Sequence, residues 1–221
     1  MREPGYSIIE NVFSFAECDE LVASLSAARD RHGRAGTRHL MNNPKVHAAA
    51  NHPALLGIAS RTLGAAAVPY RATLFEKSGF ANWLVVWHQD TALPLVSKNS
   101  SAEWGPWSHK AGVLYAHAPS WALSRTVALR LHLDASTTEN GPLRVIPGSH
   151  VHGVLNDKDV FALARTRSKI DCLVGRGGVL AMRPLLIHSS SKAVLNLPRR
   201  VLHFEYADSR DLCEGVCLAV A

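Results

Sequence analysis

The chain has 221 residues, 47% of them hydrophobic and 19% charged, which suits one domain with a sizeable core and is ordinary for a soluble globular enzyme. No apolar run approaches the roughly 20 residues that span a bilayer, and none follows the charges of Met1 to Tyr6 as a secretory signal requires, so the expected location is the cytoplasm. The formal charge of +6 fits attraction of anionic small molecules or a mildly basic solvated surface, whereas scattered Lys and Arg without interleaved aromatics exclude a nucleic-acid tract.

The first 66 residues read as a mostly helical flank. Ser14-Phe15-Ala16-Glu17 is a capping box, and Leu21, Val22, Leu25 and Ala28 follow at helical spacing to about residue 30. A second helix is predicted from His52-Pro53, carrying Leu55, Leu56, Ile58, Ala59 and Leu63 to a stop at Gly64. From about residue 67 the texture changes to strands, predicted over 67–76, 82–88, 111–117, 126–134, 142–147, 169–174, 178–187 and 199–207. Thr126 to Asp134 alternates cleanly, with Val127, Leu129, Leu131 and Leu133 on one face. Eight short strands without helices between them argue for a jelly roll, a mainly β fold flanked by the N-terminal helices, as one domain over 1–221. The stretch from Thr91 to Lys110 is the longest predicted irregular segment, a lid or a surface excursion. Four cysteines, at 18, 172, 213 and 217, make neither a C-x-x-C pair nor a disulfide framework.

Chemistry concentrates in His-x-acid pairs. There are His88-Gln89-Asp90, His132-Leu133-Asp134 and His203-Phe204-Glu205, and in a strand each would put both side chains on one side. The first ends an apolar strand where a long loop begins, beside the open space that a substrate needs. In the second, Asp134 leads into a turn-rich stretch, where Asp commonly caps the backbone. The first is therefore the predicted ligand pair. His188 comes one hundred positions later, and Arg199 eleven after that. Two imidazoles and one carboxylate on one face of a metal leave the other face open, as in non-haem Fe(II) oxygenases. An arginine at a fixed offset suits a dicarboxylate such as 2-oxoglutarate, which its planar fork can pair bidentately. Were His188 and Arg199 on adjacent antiparallel strands, the arginine would sit deeper than the metal and a five-carbon diacid could bridge them.

Several segments in order resemble the phytanoyl-CoA dioxygenase family of Fe(II)/2-oxoglutarate oxygenases. They are Leu74-Phe75-Glu76-Lys77, Trp87-His88-Gln89-Asp90, Leu131-His132-Leu133-Asp134, Glu139-Asn140-Gly141-Pro142-Leu143, Val145-Ile146-Pro147-Gly148-Ser149-His150, His188-Ser189-Ser190 and Pro198-Arg199. The resemblance implies a double-stranded β-helix, with His88, Asp90 and His188 holding Fe(II). It also implies Arg199, Ser190 and Thr73 on 2-oxoglutarate, with O2 as oxidant and succinate and CO2 as co-products. His132-Leu133-Asp134 then falls on a structural strand, and His150 belongs to structure. Ser189 departs from the small residue, often Gly, that usually comes after the distal histidine. Because Asp90 is present where related halogenases carry a small residue, hydroxylation of a small-molecule C–H is the implied outcome. Trp83, Trp104, Trp107, Lys110 and Tyr115 are candidate substrate contacts. The rival is a cupin-type metal-binding jelly roll (isomerase, hydrolase or sensor), which has no need of Arg199.

Overall fold

The computed structural model describes residues 4–26, 36–77 and 82–221. Strand β1 (Tyr6–Ile9) is followed by helices α1 (Phe15–Ser26), α2 (Pro44–Ala50) and α3 (Pro53–Leu63). The β core comprises β2 (Val68–Lys77), β3 (Val85–His88), β4 (Ala92–Leu95), β5 (Trp107–Lys110), β6 (Val113–His117), β7 (Thr126–His132), β8 (Leu143–Val145), β9 (Ile170–Cys172), β10 (Val179–Met182), β11 (His188–Ser190) and β12 (Arg199–Ala207). Short helices α4 (Ser120–Ser124) and α5 (Asp157–Thr166) interrupt it, and the hairpin β13 (Asp211–Cys213) and β14 (Val216–Cys217) ends it. No helix among the described residues is long and apolar enough to cross a membrane.

Two antiparallel sheets face each other. The larger has the order β1-β10-β7-β12-β2 and the smaller β3-β11-β8-β9, while β4-β6-β5 forms a third sheet. The helices cover the outside of the larger sheet. Leu21, Leu25, Val46, Leu55 and Ile58 bury against Val127, Leu129, Leu131, Leu133, Leu202 and Phe204, each large aliphatic contributing roughly 1.5–3 kcal/mol. The alternation predicted along β7 is present, yet all seven of its residues are buried. Its aliphatic side meets the helices, and its other side, with Ala128, Arg130 and His132, looks into the space between the sheets.

The capping box holds: Ser14 N donates to Glu17 Oε2 at 2.8 Å and Glu17 N donates to Ser14 Oγ at 3.3 Å. Helix α1 ends its described course at Ser26, and the predicted residues beyond it lie outside the described ones. Helix α3 stops at Gly64, whose φ of 74° suits a left-handed cap. Helix α2 went unpredicted although Asn43 caps it, its side chain accepting from Lys45 N and Val46 N ahead of Pro44.

Four expectations about the β core need correction. The run 178–187 is not one strand: β10 ends at Met182 and the chain turns through Pro184, which cannot donate to a ladder, to enter the other sheet at His188. His188 and Arg199 are therefore not on adjacent strands; β11 pairs with β3 and β8, and β12 with β2 and β7. Residues 91–110 are not irregular throughout, since β4 and β5 flank β6. Pro94 disguised β4 in the sequence but is tolerated on an edge strand. The strands are also not free of helices, as α5 lies between β8 and β9.

Asp134 has a structural partner. It accepts from Arg200 Nε at 2.7 Å, from Arg200 Nη2 at 2.7 Å and from Arg200 N at 2.9 Å. Arg200 thus points away from the interior, as strand alternation requires, but is bound rather than dispensable. Arg200→Ala or Asp134→Asn should lower stability by about 2 kcal/mol, or about 4–8 °C in Tm, in a calorimetric melt. Metal binding should persist in both variants; its loss in Asp134→Asn would reinstate Asp134 as a ligand.

Candidate metal centre

The β3–β11 pairing builds the centre. His188 lies directly opposite His88 in register, and their ring centroids are 4.2 Å apart. His88 Nδ1 donates to Val86 O at 2.8 Å, and His188 Nδ1 donates to Leu186 O at 2.8 Å. With both Nδ1 protons so committed, both Nε2 atoms are left as acceptors. They point at Asp90, with Oδ1 at 3.7 Å from His88 Nε2 and Oδ2 at 3.6 Å from His188 Nε2. The three donor atoms lie within 4.8 Å of one another, a cluster that fits a divalent ion on one face and leaves the other open. Burial would raise the Asp90 pKa, yet the carboxyl is held well below its usual range, with the Arg71 guanidinium as the permanent positive charge that draws on it. Burial pushes His188 down to about 3, keeping its imidazole neutral.

Gln89, read in the sequence only as a spacer, fixes the bend that brings Asp90 to the imidazoles. Its Nε2 donates to Gly153 O at 2.9 Å and Leu185 O at 2.8 Å, and its Oε1 accepts from Leu155 N at 2.8 Å. Asp90 N donates to Pro184 O at 2.9 Å. On the other side, Ser149 Oγ accepts from Ile187 N at 2.8 Å, so the Ile-Pro-Gly-Ser block locks the residue before His188.

Beside the triad lies a cavity of about 420 Å³, lined by Lys77, Trp83, Arg130, Ser190 and Arg199 together with His88, Asp90 and His188. Arg199 comes from the sheet opposite His188. Its Nη2 donates to Ser190 Oγ at 3.4 Å, and Lys77 Nζ donates to the same oxygen at 2.8 Å and to Ser191 O. Ser190 gives its own proton to Gly141 O at 2.9 Å, so its lone pairs face the two cations. The turn at Gly141, with φ 68°, cannot carry a Cβ, which would stand 2.4 Å from Ser191 O. Arg130 Nη1 donates to His203 Nδ1 at 2.9 Å.

Lys77, Arg130 and Arg199 are 1%, 6% and 3% exposed, and among the described residues no carboxylate pairs with any of them. Arg130 Nε and Arg199 Nε and Nη1 have no hydrogen-bond partner. Burial, then Arg199, Arg130 and Arg144, bring Lys77 down to about 7; burial and then Arg130 draw Arg199 down. Buried unpaired cations are costly, and this arrangement fits an anionic ligand. Lys77 and Arg130 were missed in the sequence because neither has a fixed spacing to the His-x-Asp; only the alternation of β2 and β7 could have pointed inward.

The other sequence candidates divide. Thr73 does not line this cavity. It stands four residues from Lys77 on β2, roughly 13 Å along an extended strand, and faces a second cavity of about 280 Å³ with Arg38, Arg71, Lys110, Tyr115 and His117. Lys110 and Tyr115 therefore reach a cavity that also touches His88 and Asp90, and Trp83 reaches the first. Trp104 does not reach either lining; it is buried in an apolar cluster, its ring 6.0 Å from Trp121. Trp107 packs against that same cluster under Lys98.

A double-layer β fold with an open-faced His/Asp/His cluster between its sheets defines a jelly roll with a candidate metal centre. The chain belongs to the phytanoyl-CoA dioxygenase family, whose sequence model matches residues 1–201. It is 29% identical over 180 residues to L-proline trans-4-hydroxylase of Streptomyces griseoviridis, covering 70% of this chain but 59% of that protein. SnoK from nogalamycin biosynthesis, a non-heme alpha-ketoglutarate dependent carbocyclase, superposes with a TM-score of 0.70 at 19% identity, covering 95% of this chain and 81% of SnoK. EctD of S. alaskensis, solved with 2-oxoglutarate and 5-hydroxyectoine, gives 0.68 at 21% identity, covering 93% and 72%. At those identities the two structures establish the fold.

His88→Ala, Asp90→Ala and His188→Ala should each weaken divalent-metal binding, in anaerobic titrations, by more than the roughly 10–100-fold that an outer partner costs. Gln89→Leu should fall within that range, and His132→Ala should leave affinity unchanged. Normal affinity in His88→Ala with loss in His132→Ala would transfer the site to the second pair.

Proposed function

We propose that the chain is an Fe(II)- and 2-oxoglutarate-dependent dioxygenase that hydroxylates a C–H bond of a small molecule, with release of succinate and CO2. The observation that carries this reading is the set of buried, carboxylate-free cations Lys77, Arg130 and Arg199 beside an open-faced triad. A diacid answers both features: one end can reach the metal and the other the cations. Family membership and the likeness to L-proline trans-4-hydroxylase support it. A cupin-type isomerase, hydrolase or sensor leaves three buried cations without a counter-charge. The cytoplasm is the proposed location.

In this reading His88, Asp90 and His188 hold iron, and Arg199 with Lys77 takes the distal carboxylate, both steered by Ser190. Bound iron and 2-oxoglutarate would supply the oxidising power for O2 chemistry. The protein's share is placement. Ser190 keeps its proton on Gly141 O and orients both cations; Trp83, Leu84, Val85 and Val86 give the cavity an apolar wall. The triad itself needs no protein acid or base nearby. Thr73 is not part of this proposed co-substrate contact.

Arg199→Ala strands the carboxylate and should raise the 2-oxoglutarate requirement, read as succinate formed, by at least about a hundredfold. Arg199→Lys should rescue it only in part, because the ammonium loses the fork, and metal affinity should barely move. An unchanged requirement in Arg199→Ala would sink the assignment.

Lys77 adds a pH dependence. Its ammonium form pairs with the carboxylate, and with a pKa near 7 in the free protein that form is lost as pH rises. Binding of 2-oxoglutarate, measured calorimetrically, should take up protons near neutrality and weaken between pH 7 and pH 9, by up to about tenfold per pH unit for one linked proton. Lys77→Met should bind more weakly at pH 7 and lose this slope. A slope that survives in Lys77→Met would place the titrating group elsewhere.

A further inference from the structure

The second cavity meets the first at Phe75, His88 and Asp90 and carries its own charges at the far wall, where Arg38, Arg71, Lys110 and Tyr115 gather. Arg71 on β2 is paired with Glu205 of β12, directly opposite it in register, and its Nη1 donates to Ala92 O at 3.3 Å. Arg71 thus has its counter-charge within the protein. Its Cζ lies 5.5 Å from the centroid of the Tyr115 ring, and Lys110 Nζ lies 4.8 Å from the same centroid. The Tyr115 hydroxyl is 3.0 Å from His39 Nε2. Two cations therefore share one ring, and Arg38 joins them from the segment bridged to β2 through Thr37 and Leu74.

Neither Lys110 nor Arg38 has an ion pair among the described residues. Of the carboxylates near this cavity, Glu205 is paired with Arg71 and Asp90 belongs to the His/Asp/His cluster. Crowding shows in Lys110, whose pKa is lowered by partial burial and then by Arg71 and Arg38. Two cations without an ion pair among the described residues, at one end of a small cavity with the triad at the other, form a polarised slot. A molecule anchored at the charged end by an anionic group would lay its uncharged part toward His88 and Asp90.

We propose that this wall is the subsite for the molecule to be oxidised, and that it takes a small organic acid by its carboxylate, with Lys110 and Arg38 as charge partners. Tyr115 gives Lys110 its platform, and the Arg71–Glu205 pair fixes Tyr115. The inference rests on the oxygenase reading and deepens it by naming the class of substrate.

The test uses the protein loaded anaerobically with Fe(II) and saturating 2-oxoglutarate. Calorimetric affinities are measured for paired probes, the L-amino acids and short straight-chain carboxylic acids, each against its primary amide, with inorganic phosphate as a separate arm. At least one acid should bind about tenfold or more tightly than its amide, equivalent to about 1.4 kcal/mol. That preference should vanish in an Arg38→Ala, Lys110→Ala double variant and reverse in Lys110→Glu. Both side chains are exposed, so the variants should fold, and an unchanged affinity for 2-oxoglutarate would verify it. No acid preferred over its amide, or a preference that survives the double variant, overturns the proposal. Variant-sensitive binding of phosphate alone overturns the carboxylate assignment. The visible charge-transfer band on adding 2-oxoglutarate to the Fe(II) protein separates the two levels. Its absence in the wild type sinks the oxygenase reading and this inference together; its presence without acid preference sinks only this inference.

Discussion

The pairing of β11 with β3 is the constraint on which the site depends. It sets His188 opposite His88, and in an antiparallel ladder directly opposed side chains stand close enough to share one ligand. Each ring then spends its Nδ1 proton on a carbonyl two residues earlier in its own segment, so neither can turn its donor inward. Asp90 lies beyond the end of the strand and owes its position to the three hydrogen bonds of Gln89 and to its own amide. A slip of one residue in this register would send one imidazole to the opposite face of the sheet and leave no cluster.

The inner face of the larger sheet carries the electrostatics. Along β2 the inward residues are Arg71, Thr73, Phe75 and Lys77, facing Glu205, His203, Val201 and Arg199 of β12 in register. Charge is thus concentrated at the two ends of one strand pair. Phe75, under Arg130 at 5.1 Å and edge-on to His203 at 5.6 Å, separates a cationic end with no carboxylate from an end where Glu205 balances Arg71. Both cavities touch the triad. Such an interior is poor for stability, since desolvated cations of like sign repel, and it persists because helices α1 to α3 supply apolar burial on the outer face.

The elements that the sequence displayed well were those with local signals. Ser14 and Glu17 sit three apart and close a capping box by themselves; Gly64 ends α3 because its left-handed φ costs nothing without a Cβ. The choice of His88-Gln89-Asp90 over His132-Leu133-Asp134 could be argued from the residues just after each pair, and Asp134 is indeed tied to the backbone and side chain of Arg200. Strands β4 and β5 were hidden because each is four residues long and one contains a proline, so neither offers enough alternation to read.

His188 and Arg199 could be paired by spacing, yet the spacing misled about how they meet. They belong to opposite sheets, and the turn at Pro184 that carries the chain across is visible only once β10 and β11 have found different partners. Lys77, Arg130, Arg71 and Gln89 carried no legible role, because an inward lysine and an outward lysine look alike until a strand's two faces are assigned. The sequence by itself determined the residue types that can hold a metal, the β texture, the flanking helices and the resemblance to a family. Tertiary structure decided which cations lie buried without carboxylates and which candidate tryptophans are core. It also put Thr73 in a different cavity from Arg199. These are consequences of long-range strand pairing, which joins residues such as Lys77 and Ser190 across more than a hundred positions and leaves no local trace.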